Sequence, residues 1–295
     1  MIECIPNVSE GRDRATIDEI ASAVDLVGAH LLDIHSDTDH NRSVFTFVGE
    51  RAVLADAVLA LCRVAERRID LTLHHGMHPR MGAVDVVPFV PLAGESMNDC
   101  VQLSRDVGKR IADELEIPVY LYAEAATRPG RRNLAAIRRG GFERFGVKIS
   151  RLEWQPDFGP RRIHPTAGAA AVGARGFLVA FNVVLDTDDL DVARAIASAV
   201  RERDGGLPGV KALGMRLASR DLAQVSMNLT DIEATTVHDV FDAVRGEANR
   251  RRAGIKESEI VGLVPRAALG GASASDILLA GDLGEMILED RIASS

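Results

Sequence analysis

The amino-acid sequence predicts an α+β fold built from two ferredoxin-like split-βαβ subdomains, with their sheets facing each other and their helices on the outer faces. Three observations lead there. The order strand–helix–strand–strand–helix–strand can be read twice from the hydrophobic period. A turn-rich stretch, residues 151–174, separates the two occurrences and holds Pro156, Gly159, Pro160, Pro165, Gly168 and Gly173. The length of 295 residues suits two domains of about 100–200 residues each. A sheet covered by helices on one face still has an apolar face to bury, and a second sheet supplies the cover. The expected division is 1–174 and 175–295, with 151–174 as the linker.

Residues 2–5 are a short apolar strand stopped by Pro6-Asn7. Residues 12–27 put Ile17, Ile20, Ala21 and Val24 on one helical stripe. Strands follow at 27–34 and 43–48, the second alternating Val44, Thr46 and Val48 with Phe45 and Phe47. Residues 51–68 are helical, with Val53, Ala57, Leu61 and Val64 along one face. A β-branched strand at 84–90, a helix at 97–115 and a strand at 118–122 complete the first half.

The second half opens with a strand at 177–185 and a helix at 187–203 that faces Val192, Ala195, Ile196 and Val200 inward. After the turn cluster 204–209, strands at 210–217 and 223–229 pair, followed by a helix at 236–253 and a strand at 259–264 ended by Pro265. The tail beyond Pro265, with Gly270-Gly271-Ala272-Ser273-Ala274-Ser275, is rich in small residues and weakly specified. No residue-level repeat links the halves, so the duplication is one of topology.

Charge and composition exclude several functions. With 35 basic against 43 acidic residues the net charge is −8, the wrong sign for a nucleic-acid binder, which begins by neutralising phosphates. No run approaches the roughly 20 apolar residues a spanning helix needs, and the start lacks a basic, then apolar, leader. Cys4, Cys62 and Cys100 are far apart and form no CxxC pair, an odd and sparse set that suits a reducing compartment. The expectation is a soluble cytoplasmic protein that binds neither nucleic acid nor membrane.

Five of the eight histidines fall in two short segments, residues 33–42 with His35 and His40, and residues 73–85 with His74, His75 and His78. Strand-end loops of this polarity are where sites are built. Three readings compete. The loops are solvated; or His74, His75 and His78 with Asp37 or Asp39 hold a metal; or one histidine works as a general acid–base. Against a metal, Gly76 and Pro79 break any helix that would hold a HExxH-type pair, and the motif has no glutamate. The surroundings of His78 favour the third reading. Gly76 and Pro79 fix an irregular loop, and Gly82 permits close approach. Arg80 offers a planar guanidinium to a carboxylate, and Asp85 could orient an imidazole.

Several motifs resemble the glutamate formimidoyltransferase family. They are Ile5-Pro6-Asn7-Val8-Ser9-Glu10-Gly11, Asp39-His40-Asn41-Arg42-Ser43-Val44-Phe45-Thr46-Phe47-Val48-Gly49 and His78-Pro79-Arg80-Met81-Gly82-Ala83-Val84-Asp85-Val86-Val87-Pro88-Phe89. Pro118-Val119-Tyr120-Leu121-Tyr122, Trp154-Gln155-Pro156-Asp157-Phe158-Gly159-Pro160 and Leu222-Ala223-Gln224-Val225-Ser226-Met227-Asn228-Leu229 extend the resemblance to Pro265. It implies transfer of a formimidoyl group from N-formimidoyl-L-glutamate to N5 of tetrahydrofolate, late in histidine degradation. Tetrahydrofolate would be a co-substrate, no metal would be needed, and the protein would be a homodimer.

The family's catalytic histidine matches His78, and its folate-binding stretch falls on Gly159, Pro160, Arg161, Arg162, Ile163, His164, Pro165, Thr166, Ala167 and Gly168. Arg161 and Arg162 are the expected partners of folate carboxylates, with Arg128, Arg131 and Arg132 as the fallback. Arg80 and Arg42 are candidate substrate-carboxylate anchors, and Asn7 and Asn41 candidate polar orienters. The sequence departs from the animal members at Met77 and at His35, where they have acidic residues, and it ends at Ser295, so the resemblance implies the transferase part without their cyclodeaminase domain.

Overall fold

The structure, a computed structural model, describes residues 1–76, 79–217 and 219–295; Met77, His78 and Ala218 lie outside the described residues. The chain forms two compact units, Met1–Arg175 and Gly176–Ser295.

The first unit runs β1 (Ile2–Cys4), β2 (Asn7–Val8), α1 (Arg14–Asp25), β3 (His30–Asp37), β4 (Arg42–Gly49), α2 (Arg51–Arg68), β5 (Val84–Pro91), α3 (Met97–Leu115), β6 (Val119–Ala123), α4 (Leu134–Arg138), α5 (Gly141–Ile149) and β7 (Ala170–Ala174). β1 and β2 share the partners β4 and β5 and act as one strand broken at Pro6. The break leaves no backbone group stranded: Ile5 N donates to Pro88 O at 3.2 Å and Phe45 N to Pro6 O at 3.0 Å. The resulting order, β3-β4-β1/β2-β5, is antiparallel throughout and is the split-βαβ arrangement expected from the sequence.

Two further strands extend this sheet, since β7 lies parallel to β5 and β6 parallel to β7. The stretch expected as a linker, residues 151–174, therefore ends in a strand of the first sheet whose residues are all buried. Its composition hides it. Ala170, Ala171, Gly173 and Ala174 lack the β-branched signature by which strands are read.

α1, α2 and α3 cover one face, where Ile17, Ile20, Leu61, Val107 and Ile111 meet Phe45, Phe47, Phe89, Leu121 and Val172. On the opposite face Val86, Tyr120, Tyr122 and Ala171 pack against Ile137 of α4 and Phe145 and Ile149 of α5. This half of the sheet thus carries helices on both faces, which corrects the expectation of a single helical face. The cysteines are buried free thiols, and burial pushes Cys62 up to about 12, leaving it protonated and unreactive.

The second unit runs β8 (Val179–Leu185), α6 (Leu190–Val200), β9 (Val210–Leu217), β10 (Leu222–Leu229), α7 (Val237–Arg250) and β11 (Ile255–Val261), with sheet order β11-β8-β10-β9. Its pairs are all antiparallel, again the split-βαβ order. A capping box at Thr236 and Asp239 starts α7. The tail, expected to be weakly specified, is built into this unit through α8 (Leu283–Met286) and α9 (Leu288–Ser294). Ser258 N donates to Leu278 O at 2.7 Å and Ala280 N to Ser258 O at 2.8 Å, so the tail covers the outer edge of β11. Ile277 and Ile287 are buried beneath it. Among the described residues no helix is long and apolar enough to cross a membrane.

Arg131 is the buried polar centre of the first unit, at 1% exposure. It pairs with Asp157 at 2.6 Å, donates to the carbonyls of Glu153 and Gln155, and lies 5.0 Å from the centroid of the Tyr120 ring. It is therefore no surface anchor for a folate tail. Arg131→Met leaves the Asp157 carboxylate buried without its cation, and breaking such a pair costs about 3–5 kcal/mol. Urea denaturation should show that loss, and a midpoint equal to wild type would refute the structural role.

Candidate active site

Three segments of the first unit meet at Asn41. Its backbone is left-handed (φ 49°), a conformation asparagine tolerates better than most residues. Its side chain accepts from Gly11 N at 2.9 Å and donates to His75 O at 3.0 Å, tying β2's exit and the 70s loop to the β3–β4 turn. Gly76 is needed here, because a Cβ on it would stand 2.4 Å from His40 O. His40 is itself fixed by Asp37, at 2.9 Å from ring to carboxylate and 2.8 Å from backbone N–H to carboxylate. Burial alone would raise the Asp37 carboxyl, but hydrogen bonds from His40 outweigh it and bring it to about 2.

Asn41 in turn holds His74, and His74 holds Arg80. The ring Nε2 of His74 lies 3.0 Å from Asn41 O, and Arg80 Nε donates to the ring Nδ1 at 2.8 Å. A guanidinium has no acceptor, so Nδ1 must be the unprotonated nitrogen, and Nε2 carries the proton and donates to the carbonyl. Arg80 Nη2 also donates to His74 O at 3.0 Å, and Nη1 contacts Glu143 Oε1 at 2.9 Å. Burial holds His74 below an ordinary histidine; the Asn41 carbonyl pulls the other way and the Arg80 charge adds to the lowering. The ring is a neutral support for a cation.

Glu143 reaches Arg80 because α5 begins on Gly140 and Gly141, both at positive φ (98° and 62°), a turn that side-chain-bearing residues rarely make. Phe142 N then donates to Arg80 O at 2.9 Å. Leu71, Thr72, His74, His75, Gly76, Arg80, Phe142 and Glu143 line a cavity of about 460 Å³, well within the size range of small-molecule sites.

The expected site residues fall out as follows. His78 lies outside the described residues, two positions after this cavity's Gly76 in the sequence. Arg80 lines the cavity. Arg42 Nη1 donates to Asn7 Oδ1 at 3.3 Å, which brings those two together, while both ends of the Asn41 side chain are engaged with backbone. His35 is a residue of β3, paired with Val44, and not of a loop. Asp85 accepts from Met81 N at 2.7 Å and pairs with Arg138 at 2.5 Å, so it sets the 80s loop. His74 has both ring nitrogens engaged, which removes it as a metal ligand. Among the described residues no cluster of three or more His, Cys, Asp or Glu is placed to hold a metal.

Residues 159–168 divide in two. His164 and Gly168 exchange backbone hydrogen bonds at 3.0 and 3.1 Å, and His164 Nδ1 accepts from Ala167 N at 2.9 Å, closing a tight turn over Pro165 and Thr166. Ahead of it, Gly159 takes φ 85°, Pro160 and Ile163 are half-buried, and Arg161 is exposed. Arg162 pairs with Glu116 at 2.9 Å, both side chains 72% exposed. The sequence reading missed Leu71, Thr72, Phe142 and Glu143. The Gly140-Gly141 turn before an apolar stripe of Phe142, Phe145 and Ile149 was the available signal for α5.

In the first of two split-βαβ units, a guanidinium locked by His74 lines a small cavity. Residues 1–175 match the family described as "Formiminotransferase domain, N-terminal subdomain", and residues 180–280 match "Formiminotransferase domain". The chain is 48% identical to the glutamate formimidoyltransferase of Streptococcus pyogenes serotype M1, over 91% of this chain and 90% of that one. It is equally similar, at 48%, to the Thermoplasma acidophilum protein of the same name, over 91% and 89% of the two chains. With the Sus scrofa formimidoyltransferase-cyclodeaminase it shares 44% identity over 93% of its own length and 52% of the animal protein. The chain belongs to the formiminotransferase family.

The neutral His74 makes a pH prediction. Its pKa is depressed on folding, so the unfolded chain takes up that proton first as pH falls below 6.5. Its share of stability is complete above 6.5 and is lost as pH drops towards the depressed value. His74→Gln should remove this share, giving a shallower loss of urea stability across that window than wild type. Equal slopes for the two proteins would contradict the neutral-support role.

Proposed function

We propose that the chain is a glutamate formimidoyltransferase, moving the formimidoyl group of N-formimidoyl-L-glutamate to N5 of tetrahydrofolate and releasing L-glutamate. The observation that carries this reading is the guanidinium of Arg80, two positions after His78 in the sequence, held by His74 against a cavity. A glutamate moiety brings two carboxylates, and a planar fork in fixed orientation is the side chain suited to grip one of them.

In this reading N5 attacks the formimidoyl carbon, and a tetrahedral adduct forms. His78 takes the proton lost from N5 and returns it to the departing glutamate nitrogen, so one imidazole serves both transfers. Arg80 and Arg42 anchor substrate carboxylates, and Asn7 orients Arg42. Asn41 acts by holding the loops together. Folate lies along residues 159–168, with Arg161 and Arg162 meeting its tail. The Arg162–Glu116 pair is exposed, and such pairs are weak enough for a ligand carboxylate to displace. The same reading makes the protein cytoplasmic, homodimeric and metal-free, with a place late in histidine degradation.

The test is consumption of N-formimidoyl-L-glutamate with and without tetrahydrofolate. Turnover should require the folate, survive EDTA, and fall by roughly 10²–10⁴-fold in His78→Ala, the usual range for one general acid–base. Glutamate release without folate would sink the transferase reading in favour of hydrolysis. Near-wild-type turnover in His78→Ala would move the proton relay to another group.

A further inference from the structure

We propose that Glu143 is a specificity-determining residue: its carboxylate receives the cationic formimidoyl group of the donor and so separates formimidoyl donors from formyl ones. This rests on the reading above, in which Arg80 takes a donor carboxylate in the cavity.

Three observations carry it. Glu143 is the acidic residue among the described lining of that cavity, and its Oε1 stands 2.9 Å from Arg80 Nη1. The Glu143 side chain is 61% exposed while that of Arg80 is 12% exposed, so the carboxylate stands open to a ligand entering the cavity and the guanidinium is its fixed partner. The Glu143 backbone N–H and the Arg80 charge hold its carboxyl below the ordinary range against a smaller effect of burial, so it is anionic at neutral pH.

The chemistry of the donor matches this arrangement. An N-alkylformamidine is a strong base and carries its proton at neutral pH, so the group to be transferred is a planar amidinium. In N-formimidoyl-L-glutamate the α-carbon bears both the formimidoyl nitrogen and the α-carboxylate. The donor therefore presents a cation and an anion as substituents of one carbon. Arg80 and Glu143, in contact with each other, present the complementary anion-binding and cation-binding groups side by side. Two amidinium N–H groups fit a carboxylate as a guanidinium does. Formyl-glutamate has the same carboxylates but places a carbonyl oxygen where the amidinium has an N–H, and an oxygen facing a carboxylate is repelled. Discrimination by such a mismatch leaves a polar group without its partner, which is the strong form of selectivity. The helix start that fixes Glu143, with Phe142 N bound to Arg80 O at 2.9 Å, keeps the two groups in register.

The experiment is calorimetric binding of N-formimidoyl-L-glutamate and N-formyl-L-glutamate, without folate so that nothing turns over, to wild type, Glu143→Gln and Arg80→Gln. Wild type should prefer the formimidoyl compound. Glu143→Gln should weaken that compound by about 10- to 150-fold, from about 1.5–3 kcal/mol for a charged hydrogen bond at 1.4 kcal/mol per decade. It should leave formyl-glutamate unchanged or tighter, so the preference collapses. If both compounds weaken together, both tighten together or neither moves, Glu143 does not read the formimidoyl group and the proposal is overturned. Arg80→Gln should weaken both; if it weakens neither, the donor binds elsewhere and the donor-site reading itself fails.

Discussion

The site depends on one hydrogen-bonded relay, from the Asn41 carbonyl through the His74 ring to the Arg80 guanidinium. A free arginine side chain carries about 2 kcal/mol of rotamer entropy, and a ligand that must freeze it loses that much affinity. Here the freezing is done in advance by a histidine that is useful because it is neutral: only an unprotonated Nδ1 accepts from a cation. The cost of keeping it neutral is met by burial, and the tautomer is set by a backbone carbonyl on the far side. The relay also ties Asn41 of the 40s turn to Arg80 through the His74 ring.

The surrounding backbone is arranged around two close approaches. A Cβ on Gly82 would stand 2.1 Å from Ala169 O, and one on Gly168 2.1 Å from Met81 O. The two glycines let the loop carrying Arg80 pair directly with the strand entry of β7, through Ala169 N to Met81 O and Ala83 N to Ala167 O, each at 2.9 Å. Ser9 joins them by donating its side chain to Gly82 O at 2.8 Å. The loop of the proposed donor site and the stretch proposed for folate are therefore one hydrogen-bonded backbone structure inside the first unit.

Much of this was legible in the sequence, for physical reasons. α2 and α3 match their expected spans because long helical stripes of apolar residues leave little choice, and a capping box at Ser96 and Asp99 starts α3. The β9–β10 pair is marked by alternation and an Arg220-Asp221 turn. The invisible parts share a different feature, that their residue types suit several environments. β7 is a run of small residues whose strand character comes from neighbours on both sides. Arg131 looks like Arg128 and Arg132 in sequence, yet it is buried against Asp157. The tail reads as loop because its order comes from pairing with β11. At the site, the clustering of histidines was plain, but the distinction among them was not. His74 and His78 are alike as residue types, and only the Arg80 contact shows His74 to be a support. Glu143 was missed because the α5 helix that delivers it is short and far along the chain.

The central claim is that the orientation of Arg80, and not merely its charge, holds the donor. Arg80→Lys keeps the charge but loses the Nε and Nη2 contacts to His74 and the planar fork. Steady-state kinetics with both substrates varied tests this directly. The account predicts a KM for N-formimidoyl-L-glutamate raised by about tenfold or more, the equivalent of one 1.4 kcal/mol step, with the KM for tetrahydrofolate little changed. An unchanged donor KM, or a rise confined to tetrahydrofolate, would contradict it.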